Sequence, residues 1–345
     1  MLLDTGKDHM QRIGFACKWI DTAAQIDGIK PTDAAKKYNT GTTTVAWLNR
    51  QTTDVAEQKL WDLMVSNISA VQNLVDKVGT LDENLRMVRL GSDILPVYTH
   101  LSYSYFWRRP DVRLYLEQHF ALVGASARKN GVRLSFHPGQ FVVLASINPG
   151  IVDRSIEEFE YHASMAAWMG FGRSFQDFKI NVHISGRLGP EGIRQAYKRL
   201  TPEARSCITI ENEENSWGIN DCLSISDIVP IVLDIHHHWI REGEYILPSD
   251  DRVRRVLDSW RGVRPTCHYS VSREDYLVEH DKLTAPVHAQ LLLDGFKKQK
   301  LRAHSDFYWN AEVNSWAAGF LDKFDIMCES KGKNLSSLEF YNYAK

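Results

Sequence analysis

The chain has 345 residues, 43% of them hydrophobic, and a formal net charge of -2. That composition supports a sizeable core and excludes both a disordered polyelectrolyte and a protein that attracts polyanions by overall positive charge. Five cysteines without a CxxC pair argue against a disulfide framework, and Cys207, Cys267 and Cys328 fall in apolar runs where a thiol behaves as a small hydrophobe.

Residues 1–10 read as an untied tail without an apolar signal core, and Arg12–Lys18 as a first strand. No run approaches membrane-spanning length, so a cytoplasmic enzyme is expected (in a host cell's cytoplasm, if virus-encoded). Residues 28–50, rich in Thr, Asn, Lys and Gly, read as an insertion. From Thr53 to Val78 apolar residues recur at helical spacing. Arg86–Gly91 is a second strand, followed by a loop with His100. Pro110–Asn130 opens with Pro-Asp and is helical, and Val132–His137 is a third strand.

The alternation continues. Helices are expected over 153–169, 190–200, 224–228, 249–260, 285–296 and 306–320, and after the last strand. Strands are expected over 179–184, 207–211, 231–235, 264–269 and 324–328. Eight strands alternating with helices, without a composition break, predict one (β/α)8 TIM barrel spanning 1–345 with insertions near 28–50, 238–261 and 280–303. A doubly wound sheet is disfavoured, because no Gly-rich loop follows the first strand.

Side chains on a strand alternate faces. Ser135 and His137 oppose Leu134 and Phe136; Lys179, Asn181 and His183 oppose Ile180, Val182 and Ile184; Thr209 and Glu211 oppose Ile208 and Ile210; Thr266 and His268 oppose Cys267 and Tyr269. Polar residues thus take the parity that faces the lumen. Asp234 and Glu329 end the sixth and last strands in the same way. A lone strand-end histidine is ordinarily a hydrogen-bonded core or loop residue. Six strand ends in agreement predict His137, His183, Glu211, Asp234, His268 and Glu329 on the C-terminal rim, where barrel active sites lie. Carboxylates with imidazoles hold divalent cations, and a carboxylate can bridge two. In Asp234-Ile235-His236-His237-His238, either His236 or His237 can join the rim, depending on where the strand turns. His100 and His304 lie on loops.

These motifs resemble the UV-damage endonuclease family, metal-dependent barrel nucleases related to endonuclease IV. The likeness runs from Arg12 to Lys333 through Ile13-Gly14-Phe15, Val88-Arg89-Leu90-Gly91 with Thr99-His100, Leu134 to Phe141, Asn181 to Gly186, Ile210 to Glu213 with Trp217, Leu233 to His237, Arg264-Pro265 with His268, Arg302-Ala303-His304 and Asp325 to Lys333. The resemblance implies a DNA-repair enzyme that nicks damaged double-stranded DNA 5′ of cyclobutane dimers and 6-4 photoproducts, with abasic sites a further candidate. It implies three divalent ions, Mn2+ foremost with Zn2+ or Mg2+ as alternatives. Glu211 would bridge two ions, His137 and His183 holding one, and Asp234, His268 and Glu329 the other. His237 and His304 would hold the third, with His100 near the first. Glu211, Asp234 and Glu329 would be the catalytic carboxylates, Gln140 and Phe141 a wedge in the duplex, and Phe15 an aromatic at the damage pocket.

Two departures stand out: Thr266 where many members have a lysine, and Phe141 where tyrosine is usual. Arg108-Arg109 and Lys297-Lys298-Gln299-Lys300 with Arg302 are candidate phosphate contacts, although basic runs are ordinarily solvated faces. A monomer is expected. A barrel sugar isomerase and a silent damage binder are the competing readings.

Overall fold

The computed structural model describes residues 10–345; residues 1–9, most of the expected tail, lie outside them. Eight parallel strands alternate with helices: β1 (Ile13–Ala16), β2 (Met87–Arg89), β3 (Arg133–Phe136), β4 (Lys179–His183), β5 (Ile208–Glu211), β6 (Ile231–Val232), β7 (Thr266–Tyr269) and β8 (Asp325–Cys328). Their order is β6-β5-β4-β3-β2-β1-β8-β7. The outer two meet through a parallel bridge between Asp234 and His268, where the His268 N–H donates to the Leu233 carbonyl at 3.0 Å. The sheet closes on itself as the expected (β/α)8 barrel.

Local chemistry sets the helices. Thr53–Gly79 begins where the Thr52 side chain accepts the Val55 amide, and Leu60, Met64, Ile68, Val71, Val75 and Val78 form its buried stripe. Pro110–Lys129 and Pro149–Trp168 each start with a proline, whose missing N–H costs nothing in a first turn. These two helices pack so closely that a Cβ on Gly124 would lie 1.8 Å from the Met169 carbonyl oxygen.

Register confirms the parity argument. Ser135 pairs with Lys179, Asn181 with Thr209 and His183 with Glu211, all on the lumen side. Phe136, Ile180, Ile210 and Ile326 on the other side are fully buried against the helices, each contributing about 1.5–3 kcal/mol. At the N-terminal end of the barrel Asp325, fully buried, accepts from the Arg12 amide at 2.9 Å, Arg264 Nε at 2.8 Å and Arg133 Nη1 at 2.6 Å.

Three expectations change. The segment 28–50 carries two short helices, Asp33–Lys36 and Val45–Leu48, capped by Thr32 and Thr44. The short helix expected at 224–228 lies at Ile219–Leu223, where Asp221 accepts the Gly218 amide. The strand expected through Ile235 stops at Val232, because Asp234 caps a helix over Ile235–Glu242.

Candidate metal centre

That cap decides between the adjacent imidazoles. Asp234 Oδ1 accepts the His237 amide at 2.7 Å, and the helical turn brings His237 Nδ1 to 3.6 Å from Glu211 Oε1 and 3.7 Å from Asp234 Oδ2. His236 is buried beside Trp239 instead, ring centroids 5.8 Å apart, with its Nε2 unpartnered. The first turn of a helix, rather than strand parity, aims this imidazole toward Glu211.

Glu211, fully buried at the end of β5, is the hub. One oxygen, Oε2, lies 3.1 Å from His137 Nε2 and 3.5 Å from His183 Nε2. The other, Oε1, lies 3.0 Å from His268 Nδ1, which is 3.2 Å from Glu329 Oε1. The ligand atoms of His137, Glu211 and His268 lie within 4.8 Å of one another, and so do those of Glu211, Asp234, His268 and Glu329. His304 holds its Nδ1 at 2.7 Å from the Glu329 carbonyl, its ring 6.5 Å from that of His237. His100 Nδ1 takes the Ser102 amide at 3.2 Å.

The electrostatics suit cations. Burial holds His137, His183, His268 and His304 below the ordinary imidazole value, which favours the neutral ring that a cation needs. Burial also opposes charge on Glu211, but His268 and His183 overcome it and hold the carboxyl well below its usual range. For Glu329 burial is overcome by Arg89, whose Nη1 pairs with Oε1, and by His268. Burial pushes Asp234 up, and its Oδ2 has no hydrogen-bond partner. A buried carboxylate oxygen without a donor, among imidazole nitrogens, is a donor set that could hold a divalent ion. His237 is pushed down by burial yet raised to about 9 by Asp234, Glu211 and Glu214, so in the metal-free protein it holds a proton that a cation would displace.

The model of the family described as "UV-endonuclease UvdE" matches residues 11–343. The chain belongs to the UV-endonuclease UvdE family. As a UvdE family member it is a nuclease enzyme. A UV DNA damage endonuclease of Bacillus thuringiensis subsp. konkukian is 24% identical over 294 residues, 82% of each chain. A UV-damage endonuclease of Schizosaccharomyces pombe is 28% identical over 222 residues, which cover 59% of this chain and 36% of that protein. Among solved structures, SacUVDE shares the fold with a TM-score of 0.69 and 22% identity over 96% of this chain and 97% of that one. Endonuclease IV from Thermus thermophilus gives 0.50 and 14% over 79% and 93%.

Several residues at the UvdE centre escaped the sequence reading. Lys179 is buried in the lumen with Nζ 2.9 Å from His268 Nε2, so it orients that imidazole from across the barrel. Burial pushes its ammonium down to about 7. Asn181 donates to Glu211 Oε2 while accepting from Thr209 at 2.8 Å. Asn212 clamps the Asp234 backbone through both side-chain atoms, at 2.9 and 3.0 Å. Glu214 Oε2 lies 3.7 Å from His237 Nε2, and its other oxygen takes Arg302 at 2.8 Å. The available signal was charge or amide at lumen parity, present for Arg89, Lys179 and Asn181.

Two of the DNA-facing expectations land on the surface and one does not. Gln140 and Phe141 are exposed, Phe141 at 67%, after a turn where a Cβ on Gly139 would lie 2.6 Å from the Phe141 ring. Phe15 corrects its expectation: it pairs with Val88 and Cys328 on the helix-facing side, is 1% exposed and meets Trp19 edge-on at 5.9 Å. Its parity turns it away from the lumen rim. Of the basic runs, Arg109 is engaged by Glu57 and Asp111, and Arg302 by Glu214. No helix among the described residues is long and apolar enough to cross a membrane.

Proposed function

We propose that this UvdE family chain is a DNA-repair endonuclease that nicks the backbone 5′ of cyclobutane pyrimidine dimers and 6-4 photoproducts by hydrolysis at a three-ion centre, Mn2+ foremost. The observation that carries this reading is Glu211, whose two oxygens face separate sets of ligands: His137 and His183 on one side, His268 and Glu329 on the other. One carboxylate so flanked suits a bridge between two cations, with Asp234 completing the second set and His237 and His304 available to a third. His100 is assigned beside the first ion on family likeness. Bound divalent cations supply an activated water and neutralise charge on the attacked and leaving oxygens.

The chain's own residues do the rest. Arg89 holds Glu329, Lys179 holds His268 and Asn181 holds Glu211, which fixes the ligands before substrate arrives. Phe141 and Gln140 project where they can enter a duplex already weakened by a photoproduct, so extruding the lesion costs less than extruding normal bases. The chain works as a monomer on damaged double-stranded DNA in this reading.

Protein supplied with Mn2+ is expected to nick ultraviolet-irradiated supercoiled plasmid, to spare unirradiated plasmid and to lose nicking in EDTA. Equal treatment of both plasmids would sink lesion selectivity. Phe141→Ala is expected to lower cleavage of irradiated DNA roughly tenfold, the scale of one lost base–aromatic stack. Its melting temperature should not move, because the ring is exposed.

A further inference from the structure

Lys333 is placed in a way that folding alone does not explain. It opens the last helix, Lys333–Ala344, with φ +50°, the left-handed region that a side chain other than glycine enters at a cost. The turn leading to it is tightly held. The Lys331 amide donates to the Ser305 carbonyl at 3.0 Å and the Gly332 amide to the Asp306 carbonyl at 2.8 Å. Asn334 then clamps Ile20, accepting its N–H and donating to its C=O, each at 2.8 Å.

This frame fixes Lys333 at the corner where β2, β1 and β8 end. Cys17, just past β1, donates its N–H to the Arg89 carbonyl at 2.8 Å. The Asn334–Ile20 clamp ties half-buried Lys333 to the chain just after Cys17 and Lys18, within electrostatic reach of Arg89 and Glu329. The one carboxylate of that group, Glu329, is already taken by Arg89. Among the described residues neither Lys333 nor the exposed Lys18 makes an ion pair. A strained backbone and an uncompensated cation beside a cluster that itself collects cations are both unfavourable in the free protein. An anion docking there relieves the second, and the anion beside a phosphodiester-cutting centre is the DNA backbone.

Resting on the nuclease reading above, we propose that Lys333 and Lys18 hold one backbone phosphate of the cut strand at the β1–β8 corner, and so fix which phosphodiester lies over Glu211 and Glu329. The contact is to phosphate, so it carries affinity and register and not lesion recognition.

The test is binding of a fluorescent duplex, irradiated or not, to protein supplied with Ca2+ in place of Mn2+, across a series of KCl concentrations. Lys333→Gln should weaken both duplexes by the same factor, roughly tenfold, and make the plot of log affinity against log salt shallower by about one. Lys333→Arg should keep the wild-type slope. Lys333→Gly, which suits the backbone conformation, should lose affinity as Gln does while melting no lower than wild type. Unchanged affinity and slope in Lys333→Gln would overturn the assignment while leaving wild-type nicking intact. A loss confined to irradiated DNA, or one accompanied by lower melting or lower metal content in all three variants, would overturn it too. Failure of the wild type to bind either duplex would instead remove the nuclease reading itself.

Discussion

The two ends of the barrel solve the problem of buried charge in opposite ways. At the N-terminal end one carboxylate, Asp325, is surrounded by Arg12, Arg133 and Arg264, and both its oxygens are occupied at 2.6–2.9 Å. At the C-terminal end three carboxylates, Glu211, Asp234 and Glu329, share one arginine and a ring of imidazoles, and Asp234 Oδ2 has no donor. The first arrangement is saturated and has no affinity left over. The second leaves a buried carboxylate oxygen without a donor among imidazoles, a place that a divalent cation could fill. Polar residues fill both ends of the lumen, so polarity does not mark the site; unmet coordination does.

Four substitutions or titrations probe that contrast. Glu211→Gln should lower nicking about a thousandfold or more, since several kcal/mol of charge stabilisation depend on the bridge. The fold should remain, as read by circular dichroism; retained nicking would show that metals do no chemistry at this end. Asp325→Asn should do the reverse. Leaving three partly buried arginines uncompensated costs at most about 3–5 kcal/mol, seen as a lower urea midpoint, while metal content per folded molecule stays constant. Lys179→Met should weaken metal binding about 10- to 100-fold by freeing the back of His268, measured by chelator competition, with stability of the metal-free protein little changed.

The smallest effect is a count of protons. With its imidazole raised to about 9, His237 in the metal-free protein contributes stability that is fully present below about 6.5 and is lost as pH rises through about 9. Mn2+ binding at pH 7.5 should therefore release about one proton from this residue, and none above pH 10. Calorimetry in buffers of different ionisation enthalpy reads the number, and His237→Asn should remove it.

Much of the centre was legible because a strand's period of two is rigid. Once His137, His183, Glu211 and His268 are placed on strands, their common face follows from counting. Legibility failed where the chain leaves that period. Leu233-Asp234-Ile235-His236 reads equally well as a strand, and only the cap formed by Asp234 shows that a helix has begun and that His237 is the ring turned inward. It failed again for partners distant in sequence: Arg89 meets Glu329, and Lys179 meets His268, across the lumen. A lysine or arginine at lumen parity reads as an anomaly until its partner is seen. Phe15 failed for the opposite reason, since its motif suggested the rim while its register with Val88 puts it in the apolar layer. The barrel as a whole was robust to these local errors, because alternation over eight strands does not depend on any single boundary.

Seven of the eight joints between strands are ladders, and the eighth, between β6 and β7, is a bridge between Asp234 and His268. Both of those residues also belong, with Glu211 and Glu329, to a group of four side chains that could hold a metal ion. A cation held by Asp234 and His268 would therefore fasten the weakest staves of the cylinder, and chelation would loosen the hoop as well as silence the chemistry proposed there. Amide exchange over 231–234 and 266–269 would quicken first when the ions are stripped.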